Sequence, residues 1–114
     1  VFIADNASEQ GPTVFLLPES EEKQALVHAR GFSSKNLWGM TFDATGNLYV
    51  SGNNPEELTG TVYKVTHSGQ IEPLLVGLHY PTGLTIHDGW LYIVDYAEGK
   101  ILRVKINTQP AQGW

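Results

Sequence analysis

Acidic residues stand at matching places in this 114-residue chain. Asp5 lies near the end of the run Val1-Phe2-Ile3-Ala4-Asp5-Asn6, and Asp95 holds the same place in Leu91-Tyr92-Ile93-Val94-Asp95-Tyr96. A carboxylate there can ligate a metal or act as a general base, or it can accept N–H groups from the loop that follows. Recurrence of one residue type at one place favours the structural use. Leu48-Tyr49-Val50-Ser51-Gly52-Asn53 is a third copy of the run and sets Asn53 opposite Asn6 and Tyr96. His79 and Tyr80 precede Pro81; a general base is conceivable at His79, although an ordinary surface or packing histidine is the simpler reading. Trp38 and Thr82 occupy equivalent positions, one a large amphipathic ring and the other a small hydroxyl. The indole can stack on a sugar or another flat ligand, or it can serve as packing. The candidate binding residues are therefore Trp38, Thr82, His79, Tyr80, Asn53, Asp95 and Tyr96. Glu56, Glu57 and Glu98 read as a solvated acidic rim.

Other chemistries are missing from the sequence. It has no cysteine, which removes disulfides, thiolate catalysis and Cys-based zinc sites together. It has no Gly-rich phosphate loop, Ser-His-Asp pattern or spaced histidine cluster; His28, His67 and His87 have no partner pattern. Charged residues make up 17% and the net charge is −5, which speaks against a nucleic-acid surface. No apolar run approaches the roughly 18 residues of a membrane-spanning helix. A lone Asn6-Ala7-Ser8 sequon is read as a chance match, and both cytoplasmic and secreted compartments fit the composition. The chain opens mid-strand without a Met, which points to a native start upstream.

The elements that must position these residues repeat. Leu37-Trp38-Gly39-Met40-Thr41-Phe42, a turn, and Leu48-Tyr49-Val50-Ser51-Gly52 return about 44 residues later as Pro81-Thr82-Gly83-Leu84-Thr85-Ile86, a turn, and Trp90-Leu91-Tyr92-Ile93-Val94-Asp95. Third strands are expected at residues 13–17, 61–65 and 100–104. Fourth, outer strands are expected at 24–28 and 70–76, with Pro73 suited to an edge. Residues 21–30 also read as a short helix, since Glu, Lys, Gln, Ala and Leu favour one; the register of the repeat favours a strand. Asp43-Ala44-Thr45-Gly46-Asn47, His67-Ser68-Gly69 and His87-Asp88-Gly89 supply the positive φ of hairpin turns. The tail, 107–114, loses the pattern.

Such a period with four short strands per unit predicts an all-β propeller of four-stranded antiparallel blades. Lettering the strands a to d outward from the axis, the chain reads b-c-d, a-b-c-d, a-b-c. That is about two and a half blades: a partial blade at 1–36, a complete one at 37–80, and a partial one with its tail at 81–114. The b–c and d–a loops then share one face around the channel mouth. That face gathers the candidate residues with Asp5, Asn6, Glu9, Arg30, Lys35 and Asn54, and a small-molecule or protein ligand is expected there. Tyr49, Tyr63 and Tyr92 recur at mid-strand as packing between blades. An open arc leaves two apolar faces uncovered, so either missing blades or self-association must close the ring.

Pro81-Thr82-Gly83-Leu84, Gly89-Trp90-Leu91-Tyr92-Ile93-Val94-Asp95 and Gly99-Lys100-Ile101-Leu102-Arg103-Val104 resemble the NHL and gluconolactonase-like (senescence-marker-protein, regucalcin) six-bladed propellers. The Gly-Leu-x-x-Pro-x-Gly-Leu pattern at 77–84 is also similar to propellers of quinone-dependent sugar dehydrogenases. The resemblance implies either an enzyme acting on a small sugar-like or lactone molecule, inactive as this stretch alone, or a non-catalytic NHL scaffold for protein or glycan. In the lactonase-like enzymes, metal ligands include an Asn or Asp just before the Gly of strand a. Those positions are Trp38 and Thr82 here, so a divalent cation such as calcium would draw its ligands from other blades.

Overall fold

The computed structural model describes residues 2–6, 11–17 and 26–106. Their ten strands are β1 (Phe2–Asp5), β2 (Thr13–Leu16), β3 (Leu26–Arg30), β4 (Asn36–Phe42), β5 (Leu48–Asn54), β6 (Thr59–Val65), β7 (Ile71–Leu78), β8 (Pro81–His87), β9 (Trp90–Asp95) and β10 (Lys100–Lys105). There is no helix among the described residues. The helix considered for 21–30 gives way to strand from Leu26 onward; residues 18–25, and with them the acidic turn, lie outside the described residues, as do Glu9 and the tail.

The strands form three antiparallel sheets, β1-β2-β3, β4-β5-β6-β7 and β8-β9-β10, hereafter the first, middle and third sheets. Each follows chain order, the arrangement that tight hairpins impose. Asp88 (φ 49°) and Gly89 (φ 78°) both take positive φ between β8 and β9, as a two-residue primed turn requires. The β4–β5 turn is built around one side chain. Asp43 accepts from the N–H groups of Thr45 (2.9 Å) and Asn47 (3.0 Å), from the Thr45 hydroxyl (2.7 Å), from the Asn47 amide (3.3 Å) and from the Tyr49 hydroxyl (3.0 Å). Burial pushes the Asp43 carboxyl up, but these donors outweigh it and hold it below its ordinary value. Burial and the adjoining carboxylate raise the Tyr49 hydroxyl strongly.

Alternation along the strands gives the middle sheet two apolar faces. Leu48 and Val50 of β5, with Tyr63 and Val65 of β6, meet Val14, Ala29 and Phe32 on the side of the first sheet. Tyr49 and Val62 meet Leu91 and Ile93 on the side of the third. β5 is buried along nearly its whole length. Burying each of these aliphatic side chains contributes about 1.5–3 kcal/mol. Tyr49 and Tyr63 pack at the two seams as expected; Tyr92, at the place matching Tyr49, lies on the face of the third sheet turned away from the middle sheet, where it lines a shallow depression with no neighbouring sheet against it among the described residues.

The seam between the middle and third sheets is close enough for backbone contact. A Cβ on Gly39 of β4 would run into the Thr82 carbonyl oxygen of β8, and one on Gly60 would run into the Pro81 ring. Ser51 bridges the seam: its hydroxyl accepts from the Gly39 N–H (2.8 Å) and donates to the Thr82 carbonyl (2.6 Å). The result is a plate 44 × 43 × 19 Å, its thin dimension about one seven-residue strand long.

Candidate functional site

The site forms where the loop entering β8 meets the end of β9. Asp95, 1% exposed, accepts from the backbone N–H groups of Tyr80 (2.9 Å) and His79 (3.2 Å), and also from the N–H of Glu98. The Tyr96 N–H donates to the Tyr80 carbonyl (2.9 Å), closing the clamp. Burial pushes the Asp95 carboxyl up, but the Tyr80, His79 and Glu98 N–H groups outweigh it and the group titrates below its ordinary value. The structural use expected for Asp95 is therefore correct, with one correction. Two of its three donors come from the loop before β8, because Pro81 pairs directly with Asp95 and brings that loop alongside.

Clamping residues 79–80 lines up three aromatic rings. Tyr80 lies between Trp38 of β4, at 6.0 Å between centroids, and Tyr96, at 6.2 Å, with interplanar angles of 56° and 59°. Trp38 is 54% exposed and Tyr96 75% exposed, so the row presents ring surface to solvent. At its end, His79 Nδ1 lies 2.6 Å from Glu98 Oε1, and Lys100 Nζ lies 3.8 Å from Glu98 Oε2. Glu98 is thus paired on both oxygens, whereas Glu56 faces only Lys35 at 3.8 Å in an exposed pair.

Two more of the expected site residues, half-buried Thr82 and buried Asn53, are engaged at the seam between the middle and third sheets. Thr82 gives its carbonyl to Ser51. Asn53 is fully buried and donates to the Pro81 carbonyl (3.3 Å), while its Oδ1 has no partner. The equivalent Asn6 explains the orphan. Asn6 donates to the Leu37 carbonyl (3.0 Å) and accepts from the Leu37 N–H (2.7 Å) at the junction of the first and middle sheets. Pro81 stands where Leu37 stands, and proline has no N–H to give. Trp38, Tyr80, Tyr96 and His79 therefore share an accessible surface; Asp95 and Asn53 support it from below.

Sequence reasoning did not single out Ser51, nor the pair Ser33 and Ser34, whose hydroxyls each sit 2.7 Å from the Tyr63 hydroxyl. The signal for the latter was Tyr rather than Phe at a buried strand position. His28, for which the sequence shows no partner pattern, sets its ring edge-on to Phe2 at 4.9 Å.

The residues present do not fit the cation that the lactonase-like resemblance implies. Trp38 brings an indole, and Asn53 Oδ1 is a single oxygen buried at the Pro81 junction. Among the described residues no cluster of three or more His, Asp or Glu is arranged to hold a metal, and no helix is long and apolar enough to cross a membrane. No family model matches the chain, and no curated protein matches it significantly.

Proposed function

We propose that the chain contributes blades to a six-bladed propeller of the NHL and gluconolactonase-like type, and that Trp38, Tyr80 and Tyr96 bind a small polar molecule with a flat face, sugar-like or lactone. The blades are residues 1–36, 37–80 and 81–114. Supporting the propeller are the three sheets in chain order, the close approach of β4 and β8, and the apolar packing on both faces of the middle sheet. The observation that carries the binding reading is the half-exposed aromatic row held in place by a buried carboxylate. Aromatic faces stack on the C–H faces of sugars, and the His79–Glu98 pair beside them supplies hydrogen bonds for hydroxyl groups. With Nδ1 engaged by Glu98, Nε2 is the imidazole nitrogen left for a ligand.

A second reading, an NHL-type scaffold that binds protein or glycan without catalysis, is favoured by the lack of carboxylate or amide oxygen at Trp38 and Thr82. Titration with free monosaccharides and with glucono-lactone, followed by saturation-transfer NMR, separates the readings. Binding lost in Trp38→Ala while the urea midpoint stays unchanged supports the site. Turnover of the lactone favours the enzyme, and binding without turnover favours the scaffold. If Trp38→Ala unfolds the protein, or binds as well as wild type, the site is wrong.

A further inference from the structure

Trp38 and Tyr80 meet at the internal junction of the middle and third sheets, away from both outer faces of the plate. Trp38 belongs to β4 and Tyr80 to the loop between β7 and β8, where Asp95 fixes the N–H groups of His79 and Tyr80. The two rings stand 6.0 Å apart between centroids with their planes 56° from parallel. Tyr96 repeats the relation to Tyr80 at 6.2 Å and 59°. Spacing and tilt are nearly the same at both steps of the row.

The tilt limits what can lie on these rings. A rigid flat molecule laid face-down on Trp38 meets Tyr80 at 56°, and a gap of about 0.5–1 Å already forfeits a quarter to a half of a van der Waals contact. One lactone or one pyranose therefore stacks on one ring alone. A ligand that stacks on two or more is a chain of flat units whose planes turn from each to the next. The net charge of −5 disfavours single-stranded nucleic acid. A polyproline II peptide brings residues back to one face every three positions, about 9 Å apart, half as far again as the 6.0 and 6.2 Å steps. An oligosaccharide fits better, and its linkage decides how well. The β linkage of cellulose keeps successive glucose planes in one ribbon, whereas the α linkage of maltose turns each plane against the last.

We infer that the aromatic row is a set of subsites for an α-linked oligosaccharide of the maltose type, with one glucose-like unit on Trp38 and the next on Tyr80. Tyr96 offers a place for a third. His79 Nδ1 is held by Glu98 at 2.6 Å, which leaves Nε2 for a sugar hydroxyl beside Tyr80. The inference rests on the row being the binding site, and it specifies the ligand as a turning chain rather than a single ring.

The test is calorimetric titration of the full chain with glucose, maltotriose and cellotriose. Maltotriose should bind about tenfold tighter than glucose, the factor that one further stacked ring supplies, and tighter than cellotriose. Tyr80→Ala should bring maltotriose down to the affinity of glucose, with the urea midpoint as the check on folding. The comparison of ligands on wild type needs no variant, so it decides the matter even if Tyr80→Ala fails to fold. Glucose that binds as tightly as maltotriose, with both lost in Trp38→Ala, overturns the inference and leaves the single-ring site standing. Cellotriose that matches maltotriose overturns it too, because the tilt then selects nothing. If none of the three sugars binds, or if a proline-rich decapeptide binds in their place, the sugar site itself is wrong and the inference falls with it.

Discussion

Asp95→Asn tests whether one buried carboxylate holds the aromatic row in place. The side chain accepts from three backbone N–H groups, those of Tyr80, His79 and Glu98. Asparagine keeps the shape but has a single carbonyl oxygen, and its amide nitrogen must turn toward at least one N–H donor. The change removes charge from every bond and sets donor against donor. Hydrogen bonds to a charged group contribute about 1.5–3 kcal/mol each, so with partial retention of one or two the expected loss is about 2–3 kcal/mol at neutral pH. The folded pKa lies below the ordinary value of 3.8. A depressed carboxyl stabilises the fold fully above its unfolded value and loses that contribution as pH falls through the folded value. The gap between wild type and Asp95→Asn is therefore full at neutral pH, narrows below about pH 4, and shrinks once the wild-type carboxyl is itself protonated. Asp43, also a depressed carboxyl, is common to both proteins and cancels. Urea unfolding across a pH series, extrapolated to water, measures the gap. A gap below about 0.5 kcal/mol at neutral pH, or one that does not change with pH, refutes the assignment.

Three further outcomes are expected. Asn53→Ala should cost roughly 1 kcal/mol more in a Pro81→Ala background than in wild type, because Pro81→Ala supplies the N–H that Asn53 Oδ1 lacks; a double-mutant cycle showing additivity would contradict this. In an ultraviolet titration Tyr49 should ionise well above the ordinary tyrosine value, and Asp43→Asn should bring it back down toward that value. Gly39→Ala should destabilise by about 1–3 kcal/mol, since its Cβ meets the backbone oxygen of Thr82 rather than a side chain that can turn away; urea unfolding near wild-type stability would count against the close seam.

Sheet order is legible in the sequence because alternation and turn chemistry agree. Asp88-Gly89 commits the β8–β9 turn to positive φ, and Asp43 with Gly46 commits the β4–β5 turn. Leu26 to Arg30 is harder, since its neighbours are good helix formers and only the repeat's register argues for strand. The supporting role of Asp95 follows from its recurrence with Asp5, but the identity of its donors depends on which loop the sheet brings alongside. The aromatic row is half legible: Tyr80 and Tyr96 flank one strand pair, whereas Trp38 joins them only because β4 packs beside β8. Ser51 could not be found from its type, since a lone serine in an apolar strand is commonplace. Its use arises from two sheets meeting within the reach of one hydroxyl.

Burial of β5 on both faces has a consequence for the dynamics of the plate. Its amides sit between β4 and β6, and its side chains are covered by the first sheet on one side and the third on the other. Either flanking sheet can peel away and leave the other seam intact, but β5 reaches solvent only when both seams part. Hydrogen exchange should therefore rank the molecule by layer. The amides of Tyr49, Val50 and Ser51 exchange last, at the rate of global opening, while those of β2 and β10 exchange through separate, smaller openings. The middle sheet is the nucleus around which the flanking layers come and go.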